Sequence, residues 1–252
     1  MVYVRYRKGG QVKMGILRDG VVTEICGSYF GHYVETDRSH KIEEVTLLAP
    51  CRPSKVVVVG LMYQEHIEEL GWEAPEEPLI SMKPPTAVIG PGEAIRLPQG
   101  VGRVDYEGEV GIVVGKTMHA VAPDRVGEHI LGVTCLNDVT ARELQAKDGQ
   151  WTRAKGFDTF CPMGPAVATG LDLNDLDIQT ELNGQVVQQS NTRDFIRRAE
   201  ELVSFICHVM TLEAGDVIAT GTPKGVGGLK AGDRVAITVE GVGTLTNPVV
   251  DA

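Results

Sequence analysis

Short stretches of alternating apolar and polar residues dominate the first 50 positions of the chain. Residues 2–7 (VYVRYR) have the two-residue period of a half-buried strand. Residues 11–25 predict a hairpin, because two strand-like runs flank the dipeptide Asp19-Gly20, which favours a tight turn. Pro50 and Pro53 mark a boundary, so we predict a small β domain over residues 1–50 and a larger domain over 51–252.

Beyond the boundary, β-type patterns continue and a few helical patterns join them. The apolar run KVVVVG predicts a buried strand, and residues 62–70 predict a helix that ends at Gly71. Thr140 and Glu143 have the spacing of a capping box at the start of a helix, TARELQAK. Residues 193–212 have the longest helical periodicity, and the chain from residue 215 predicts short strands and turns. The whole pattern predicts a mainly β fold with some α, of the α+β class.

Composition and charge exclude several classes of protein. The 24 Lys+Arg and 34 Asp+Glu give a formal charge of −10, so we expect no nucleic-acid partner. The longest apolar runs are far shorter than the roughly 20 residues of a membrane helix, and the N-terminus lacks the apolar region of a signal peptide. Five widely spaced cysteines predict free thiols in a reducing cytoplasm. The 30 glycines have no three-residue period, which excludes collagen.

Two glutamates at the start of an apolar strand are the most informative candidates for chemistry. Glu107 and Glu109 lie two residues apart in VDYEGEVGIVVG, so on one strand they share a face with Asp105. A generic pair of this kind lies on a solvated face, but here the strand continues into an apolar run. Buried carboxylates repel each other unless a cation compensates, and oxygen ligands favour Mg²⁺, Mn²⁺ or Ca²⁺. Asp138 is a candidate third ligand, with helix N-capping as the alternative.

Other candidates are weaker on spacing alone. His66 and Glu69 share a face of the predicted helix, where the carboxylate could fix the tautomer of a general base. An exposed acidic helix face is the simpler interpretation of the same spacing. Lys83 and Lys155 lie in segments rich in Pro and Gly, but a lone lysine is usually a solvated charge. The segment GTPKGVGG lacks phosphate-loop spacing and instead predicts a turn that brings backbone close to another group.

Taken in order, the motifs resemble those of the fumarylacetoacetate hydrolase superfamily over residues 53–248. They are KVVVVGLMYQEH, MKPPTAVIGPGEAI, VDYEGEVGIVVG, NDVTARELQ, AKGFDTFCPMGP, ELNGQVVQ and GDVIATGTPKGVG. Residues 1–50 resemble, more weakly, the small N-terminal extension of bacterial members. The resemblance implies a rolled mixed β-sheet, a homodimer, and a Mg²⁺ or Mn²⁺ site.

The resemblance also implies roles for particular residues. It assigns the metal to Glu107, Glu109 and Asp138, and a catalytic pair on a mobile lid to His66 and Glu69. It assigns a catalytic role to Lys155 and substrate contacts to four further positions, which are Tyr63, Arg142, Gln145 and Thr222. Met62 departs from the family pattern, in which many members have Asn, and so removes an amide near the expected lid.

The function expected from the resemblance is a metal-dependent enzyme that acts on small anionic 2-oxo acids through an enolate. Our first hypothesis is hydrolysis of a C–C bond in an acylpyruvate-type substrate, with water activated by His66 and Glu69. The alternatives are an isomerase or decarboxylase of 2-hydroxy-diene-dioates and an oxaloacetate decarboxylase or tautomerase. A metal-stabilised protein that binds a ligand without turnover is a third possibility.

Overall fold

The computed structural model describes all 252 residues and contains 20 strands and four helices. The first ten strands are β1 Val2–Lys8, β2 Gln11–Arg18, β3 Val21–Gly27, β4 Tyr33–Lys41, β5 Thr46–Leu48, β6 Val56–Gly60, β7 Leu79–Lys83, β8 Val88–Ile89, β9 Ile95–Leu97 and β10 Val104–Tyr106. The other ten are β11 Gly108–Val114, β12 Ile130–Asn137, β13 Thr140–Ala141, β14 Cys161–Ala168, β15 Asp177–Leu182, β16 Gln185–Asn191, β17 Val217–Ala219, β18 Gly227–Gly228, β19 Arg234–Val239 and β20 Gly243–Asp251. The helices are α1 Gln64–Leu70, α2 Arg142–Asp148, α3 Thr152–Lys155 and α4 Ala199–Val209.

Three sheets make up the fold. The largest has 12 strands, and its main path runs β4-β3-β2-β1-β14-β12-β11-β17-β6-β7. A five-stranded sheet (β16-β15-β19-β20-β9) packs against it, and a three-stranded sheet (β13-β10-β18) lies beside the start of β11. Most neighbouring strands are antiparallel, but three pairs are parallel, which are β6–β17, β8–β14 and β9–β20. The predicted α+β class with mixed sheets is confirmed.

The N-terminal strands extend the large sheet. Val2 in β1 pairs with Ala168 in β14, so β1 to β4 continue its hydrogen-bonded ladder. The predicted hairpin is confirmed, because β2 and β3 pair in antiparallel fashion around the turn. Asp19 (φ 48°) and Gly20 (φ 77°) both have the positive φ that a tight hairpin turn requires.

Two helix predictions were wrong in their boundaries. The periodic segment 193–212 is helical only from Ala199, because a 3₁₀ turn precedes it and the chain then runs extended past Phe195, which forms a bridge with Tyr63. The predicted capping box is absent from α2. Thr140 lies in β13 and donates its hydroxyl to Asp138 O, while Glu143 accepts from Arg103 N. Tertiary pairing has overridden local preference at both sites. No helix is long and apolar enough to cross a membrane.

Asp216 anchors the loop before β6 to the start of β17. Its side chain is fully buried, and both carboxylate oxygens accept hydrogen bonds. One oxygen accepts from the backbone and hydroxyl of Ser54 and from Lys55 N, and the other accepts from Lys55 Nζ and Glu213 N. Burial alone would raise the pKa of Asp216, but these hydrogen bonds outweigh it and hold the pKa below its usual value.

We expect Asp216→Asn to lower the free energy of unfolding by about 2–4 kcal/mol at neutral pH. Both carboxylate oxygens of Asp216 accept hydrogen bonds. The amide of Asn would have to place its NH₂ group, which is itself a donor, against one of these two sets of donors. Urea denaturation followed by circular dichroism measures the loss. Because the folded pKa is depressed, the difference from wild type should be complete above the unfolded value of 3.8 and should shrink as the pH falls below it.

Glu128→Gln is the matched control, because it removes a carboxylate from an exposed ion pair with Arg125. Its stability should stay close to that of wild type. Equal losses in the two variants would contradict the anchoring role of Asp216.

Candidate active site

Three buried carboxylates converge at the start of β11 and the end of β12. Glu109 lies in β11, Glu107 directly precedes that strand, and Asp138 directly follows β12. Antiparallel pairing places Gly108 opposite Asn137, and Asp138 N donates to Glu107 O at 2.9 Å. One carboxylate oxygen from each residue lies within 4.8 Å of the others.

Asp105 does not join this cluster, contrary to the expectation from its position in the sequence. The chain changes sheets at Glu107, because β10 pairs with β13 and β18 whereas β11 joins the large sheet. Asp105 is buried and accepts from Arg103 Nε at 2.5 Å and from Arg142 Nε at 2.9 Å. It therefore holds two arginines beside the carboxylate cluster.

Three cations compensate part of the buried negative charge. Lys155 Nζ donates to Glu107 at 2.8 Å and also to Asp138, and Lys83 Nζ lies 2.7 Å from Asp138 Oδ1. Arg142 Nη2 donates to Glu107 Oε1 at 2.5 Å. Both lysines are almost fully buried, so their charges are paired in a medium that screens them weakly.

Glu109 is the member of the cluster without an ion pair. Its Oε2 accepts from Gly221 N at 2.8 Å, and no cation pairs with it. Burial, followed by the charges of Asp138 and Glu107, raises the pKa of Glu109 well above its ordinary value. Burial also tends to raise the pKa of Glu107. The charges of Lys155 and Arg142 outweigh burial there and hold the pKa of Glu107 well below its usual range.

The donor set fits a hard divalent cation. It consists of carboxylate oxygens, the ligands that Mg²⁺ and Mn²⁺ favour. Asp138 Oδ1 is buried and, apart from the Lys83 ion pair, accepts no hydrogen bond. A cation beside Glu109 would stabilise its charged form against the burial and the neighbouring negative charges that raise its pKa. Glu107, Glu109 and Asp138 could therefore hold a metal ion.

Side chains outside the cluster fix the backbone that carries it. Asn137 Oδ1 accepts from Glu107 N at 3.0 Å, and Gln188 Oε1 accepts from Gly108 N at 3.0 Å. Gln188 Nε2 donates to Thr222 Oγ1, whose hydroxyl donates to Gly108 O at 3.0 Å. Sequence reasoning missed Asn137 and Gln188 as contributors. Asn137 adjoins Asp138 in the sequence, but Gln188 lies on a strand of another sheet.

Gly221, in the segment 221–228, and Gly108, in β11, allow close backbone contacts at the site. Gly221 has φ 93°, and a Cβ there would lie 3.0 Å from Met62 Cβ. At Gly108, a Cβ would collide with Thr180 Oγ1. Because Gly221 lacks a side chain, the backbone of its loop reaches Glu109. Because Gly108 also lacks one, β11 lies close to β15.

The predicted pair His66–Glu69 lies on α1, which covers the cluster. His66 Nδ1 is 2.9 Å from Glu69 Oε2, and the imidazole is 5% exposed. Since a carboxylate only accepts, Nδ1 carries the proton and Nε2 is the basic nitrogen. Glu69 also accepts from Gly225 N at 3.0 Å, and Lys224 pairs with Glu65 at 2.8 Å. These two contacts tie α1 to the glycine-rich loop.

A cavity of about 200 Å³ lies between α1 and the carboxylate cluster. Eight of the ten predicted site residues line it. The predicted residues that line it are His66, Glu107, Glu109, Asp138, Arg142, Gln145, Lys155 and Thr222. Leu61, Leu70, Trp72 and Trp151 add apolar walls, and Glu69 reaches the cavity through His66.

Tyr63, like Glu69, is a predicted site residue that does not line the cavity. Its ring is buried against Phe195, with the ring centroids 4.8 Å apart. Met62, the departure from the family pattern, is also buried, and its carbonyl accepts from Ile196 N. These contacts fasten the chain directly before α1 to the chain before α4.

Lys83 is a buried residue that sequence reasoning left as a solvated charge, and that interpretation was wrong. Besides Asp138, its ammonium contacts Val139 O at 2.9 Å and Lys155 O at 2.8 Å. Lys83 lies at the end of β7, which pairs with the buried β6, and this pairing carries its ammonium into the interior.

We expect Glu109→Gln to weaken binding of Mg²⁺ or Mn²⁺ by more than about 100-fold, because one of three carboxylate ligands is lost. The same change should stabilise the metal-free protein above about pH 5, since a carboxyl with a raised pKa costs stability as the pH rises above its unfolded value. Calorimetric titration with Mn²⁺ and thermal denaturation in chelator measure the two effects.

Glu143→Gln is the matched control, because its carboxylate is exposed on α2 and lies outside the cluster. The Mn²⁺ affinity and the metal-free stability of this variant should stay close to those of wild type. Unchanged metal affinity in Glu109→Gln would exclude this residue as a ligand.

Comparisons with known proteins agree with the motifs. Residues 55–250 match the family model "Fumarylacetoacetate (FAA) hydrolase C-terminal", and residues 1–50 match the model "Rv2993c-like, N-terminal". The structure is similar to a 5-carboxymethyl-2-hydroxymuconate delta-isomerase from Mycobacterium smegmatis, with TM-score 0.94, 48% identity and 100% of each chain covered.

Two further relatives are named as an isomerase and a tautomerase. A 2-hydroxyhepta-2,4-diene-1,7-dioate isomerase from Mycobacterium marinum has TM-score 0.93 and 44% identity, covering 100% of this chain and 98% of the other. Oxaloacetate tautomerase YisK from Bacillus subtilis is 38% identical over 225 residues, covering 83% of this chain and 75% of the relative. The motifs, the fold and these matches together show that the chain belongs to the fumarylacetoacetate hydrolase family.

Proposed function

We propose that the protein is a divalent-metal-dependent enzyme that moves a proton at C3 of a small 2-oxo dicarboxylic acid, interconverting its keto and enol forms. The observation that carries the proposal is a histidine with a fixed tautomer on the wall of a small cavity that also contains three buried carboxylates. Oxaloacetate is the substrate that we favour. The tautomerase and isomerase relatives support this class of reaction.

His66 and Glu69 supply the base. The Glu69 carboxylate accepts the Nδ1 proton, orients the ring and stabilises the imidazolium that forms when Nε2 takes a proton. The same imidazolium can return the proton to carbon or to oxygen, which is the complete chemistry of a tautomerase.

The size of the cavity favours a short substrate. Its volume of about 200 Å³ is below the roughly 300–1,000 Å³ of sites for drug-sized ligands. Apolar walls from Leu70, Trp72 and Trp151 restrict the length of the chain that fits. A four-carbon diacid therefore suits the site better than the longer diene-dioates named for the isomerase relatives.

Glu107, Glu109 and Asp138 would hold Mg²⁺ or Mn²⁺, and the bound ion would supply Lewis-acid stabilisation of negative charge on the substrate oxygens. Lys155 makes two hydrogen bonds to the carboxylates, which leaves a third N–H of its ammonium for the substrate. Arg142 holds Gln145 Oε1 at 2.8 Å, so the two side chains form one polar wall of the cavity.

Hydrolysis of an acylpyruvate, our first hypothesis from the sequence, uses the same base in a different way. His66 would then deprotonate a water molecule that attacks the C4 carbonyl, and a C–C bond would break. The assay below separates the two reactions because only hydrolysis releases two products. The predicted homodimer and the division of the chain after residue 50 remain predictions.

The direct test follows oxaloacetate by proton NMR in D₂O with Mg²⁺ or Mn²⁺, and acetylpyruvate in a parallel sample. We expect enzyme-dependent acceleration of keto–enol interconversion and of deuterium incorporation at C3 of oxaloacetate. Neither pyruvate nor acetate should accumulate above the enzyme-free rate. Rapid release of acetate and pyruvate from acetylpyruvate, without accelerated exchange in oxaloacetate, would contradict the proposal in favour of hydrolysis.

We expect His66→Ala to reduce the tautomerisation rate by about 10²–10⁴-fold, the usual contribution of a positioned general base. Metal affinity should be unchanged, because His66 is not among the three carboxylate residues. His119→Ala is the control, since His119 is exposed and distant from the cavity lining. A full rate in His66→Ala would remove the base from the proposal.

A further inference from the structure

A second polar cavity, of about 570 Å³, lies between the N-terminal strands and the segment that follows β7. Arg5 and Arg7 reach it from β1, where a spacing of two residues places them on one face of the strand. Arg52 reaches it from the connection that follows β5. Thus three guanidinium groups, two from β1 and one from the connection before β6, share one cavity, which is distinct from the site beneath α1.

The charges of these arginines are not neutralised by ion pairs. None of the three lies within 4.0 Å of a carboxylate oxygen, whereas Arg18, Arg142 and Arg153 all do. Arg5 makes a single side-chain hydrogen bond, to Ala49 O at 3.2 Å. Most of the N–H groups on the three side chains are therefore unused by the protein.

Glu93 is the one acidic residue that lines the cavity, and its carboxylate is already engaged. Its Oε2 accepts from Gly90 N at 2.5 Å and so closes a turn of the backbone. Burial, followed by the like charges of Arg52 and Arg7, lowers the pKa of Arg5. A surplus of positive charge thus accumulates locally in a protein whose formal charge is −10.

We propose that Arg5, Arg7 and Arg52 form a binding site for a small oxyanion with two or more negative charges, either a phosphate group or a polycarboxylate. Guanidinium groups bind both chemistries through paired N–H donors. The half-buried position of Arg5 makes its charge less screened than that of an exposed arginine. The proposal is independent of the reaction at the carboxylate cluster.

The test is calorimetric titration of the Mg²⁺-loaded protein with inorganic phosphate and, separately, with succinate, at constant ionic strength in chloride. We expect saturable binding of at least one of the two anions. Tighter binding of phosphate would identify a phosphoryl ligand, and tighter binding of succinate would identify a carboxylate ligand. The absence of saturable binding by both anions would overturn the proposal.

Variants locate the binding. Arg7→Gln and Arg52→Gln should each weaken it by about tenfold or more, because each removes charge-assisted hydrogen bonds. Both residues are exposed and without ion pairs, so the variants should fold as wild type. An anion bound at the carboxylate cluster would not respond to these changes, since neither arginine lines that cavity.

Arg234→Gln is the matched control, because it removes one exposed, unpaired guanidinium on β19 outside the cavity. Its affinity for either anion should equal that of wild type. Equal losses in Arg234→Gln and the two cavity variants would show a general charge effect, and unchanged affinity in both cavity variants would place the anion elsewhere. Either result would overturn the proposal.

Discussion

The balance of charge around three buried carboxylates is the constraint on which the rest of the site depends. Two of the three have cationic partners, because Lys155 and Arg142 pair with Glu107, and Lys155 and Lys83 pair with Asp138. Glu109 has only a backbone N–H from Gly221. A buried carboxylate without a cationic partner is costly, so Glu109 needs a proton or a metal ion to balance its charge. A divalent cation satisfies this need with the ligands that it prefers.

The fold places these charges through sheet register and close backbone contact. Pairing of β11 with β12 sets Glu107 beside Asp138, and hydrogen bonds from Asn137 and Gln188 hold the backbone at the change of sheet. Helix α1 is tied to the glycine-rich loop, because Gly225 N donates to Glu69. The carboxylate that orients His66 therefore also holds α1 in place, so the geometry of the base depends on the position of this helix.

Sequence reasoning was strongest where local pattern and chemistry agreed. The apolar run after Glu109 correctly indicated a strand that enters the core, and every residue of β11 is buried. The resemblance to a family was confirmed, and the structure brings most of the expected site residues to one cavity. Asp105 shows the limit of periodicity, because a change of sheet at Glu107 turns its carboxylate towards Arg103 and Arg142.

Long-range contacts were beyond the reach of sequence patterns. Lys83 resembled a solvated charge because nothing near it in the chain is acidic, yet its partner Asp138 lies 2.7 Å away in the fold. Gln188 supports the site from a different sheet. The helical periodicity of residues 193–198 was overridden because Phe195 pairs with Tyr63 and Ile196 N donates to Met62 O. In each case the deciding partner is distant in sequence, where hydrophobic period and capping rules carry no information.

The central claim is that the three carboxylates form one metal site with Glu109 as an essential ligand. A crystal structure of the protein soaked in Mn²⁺, with diffraction data collected at the manganese absorption edge, tests it most directly. The account predicts one anomalous peak per chain within coordination distance of oxygens from Glu107, Glu109 and Asp138. A peak coordinated by other residues, or no peak in crystals soaked at saturating Mn²⁺, would contradict it.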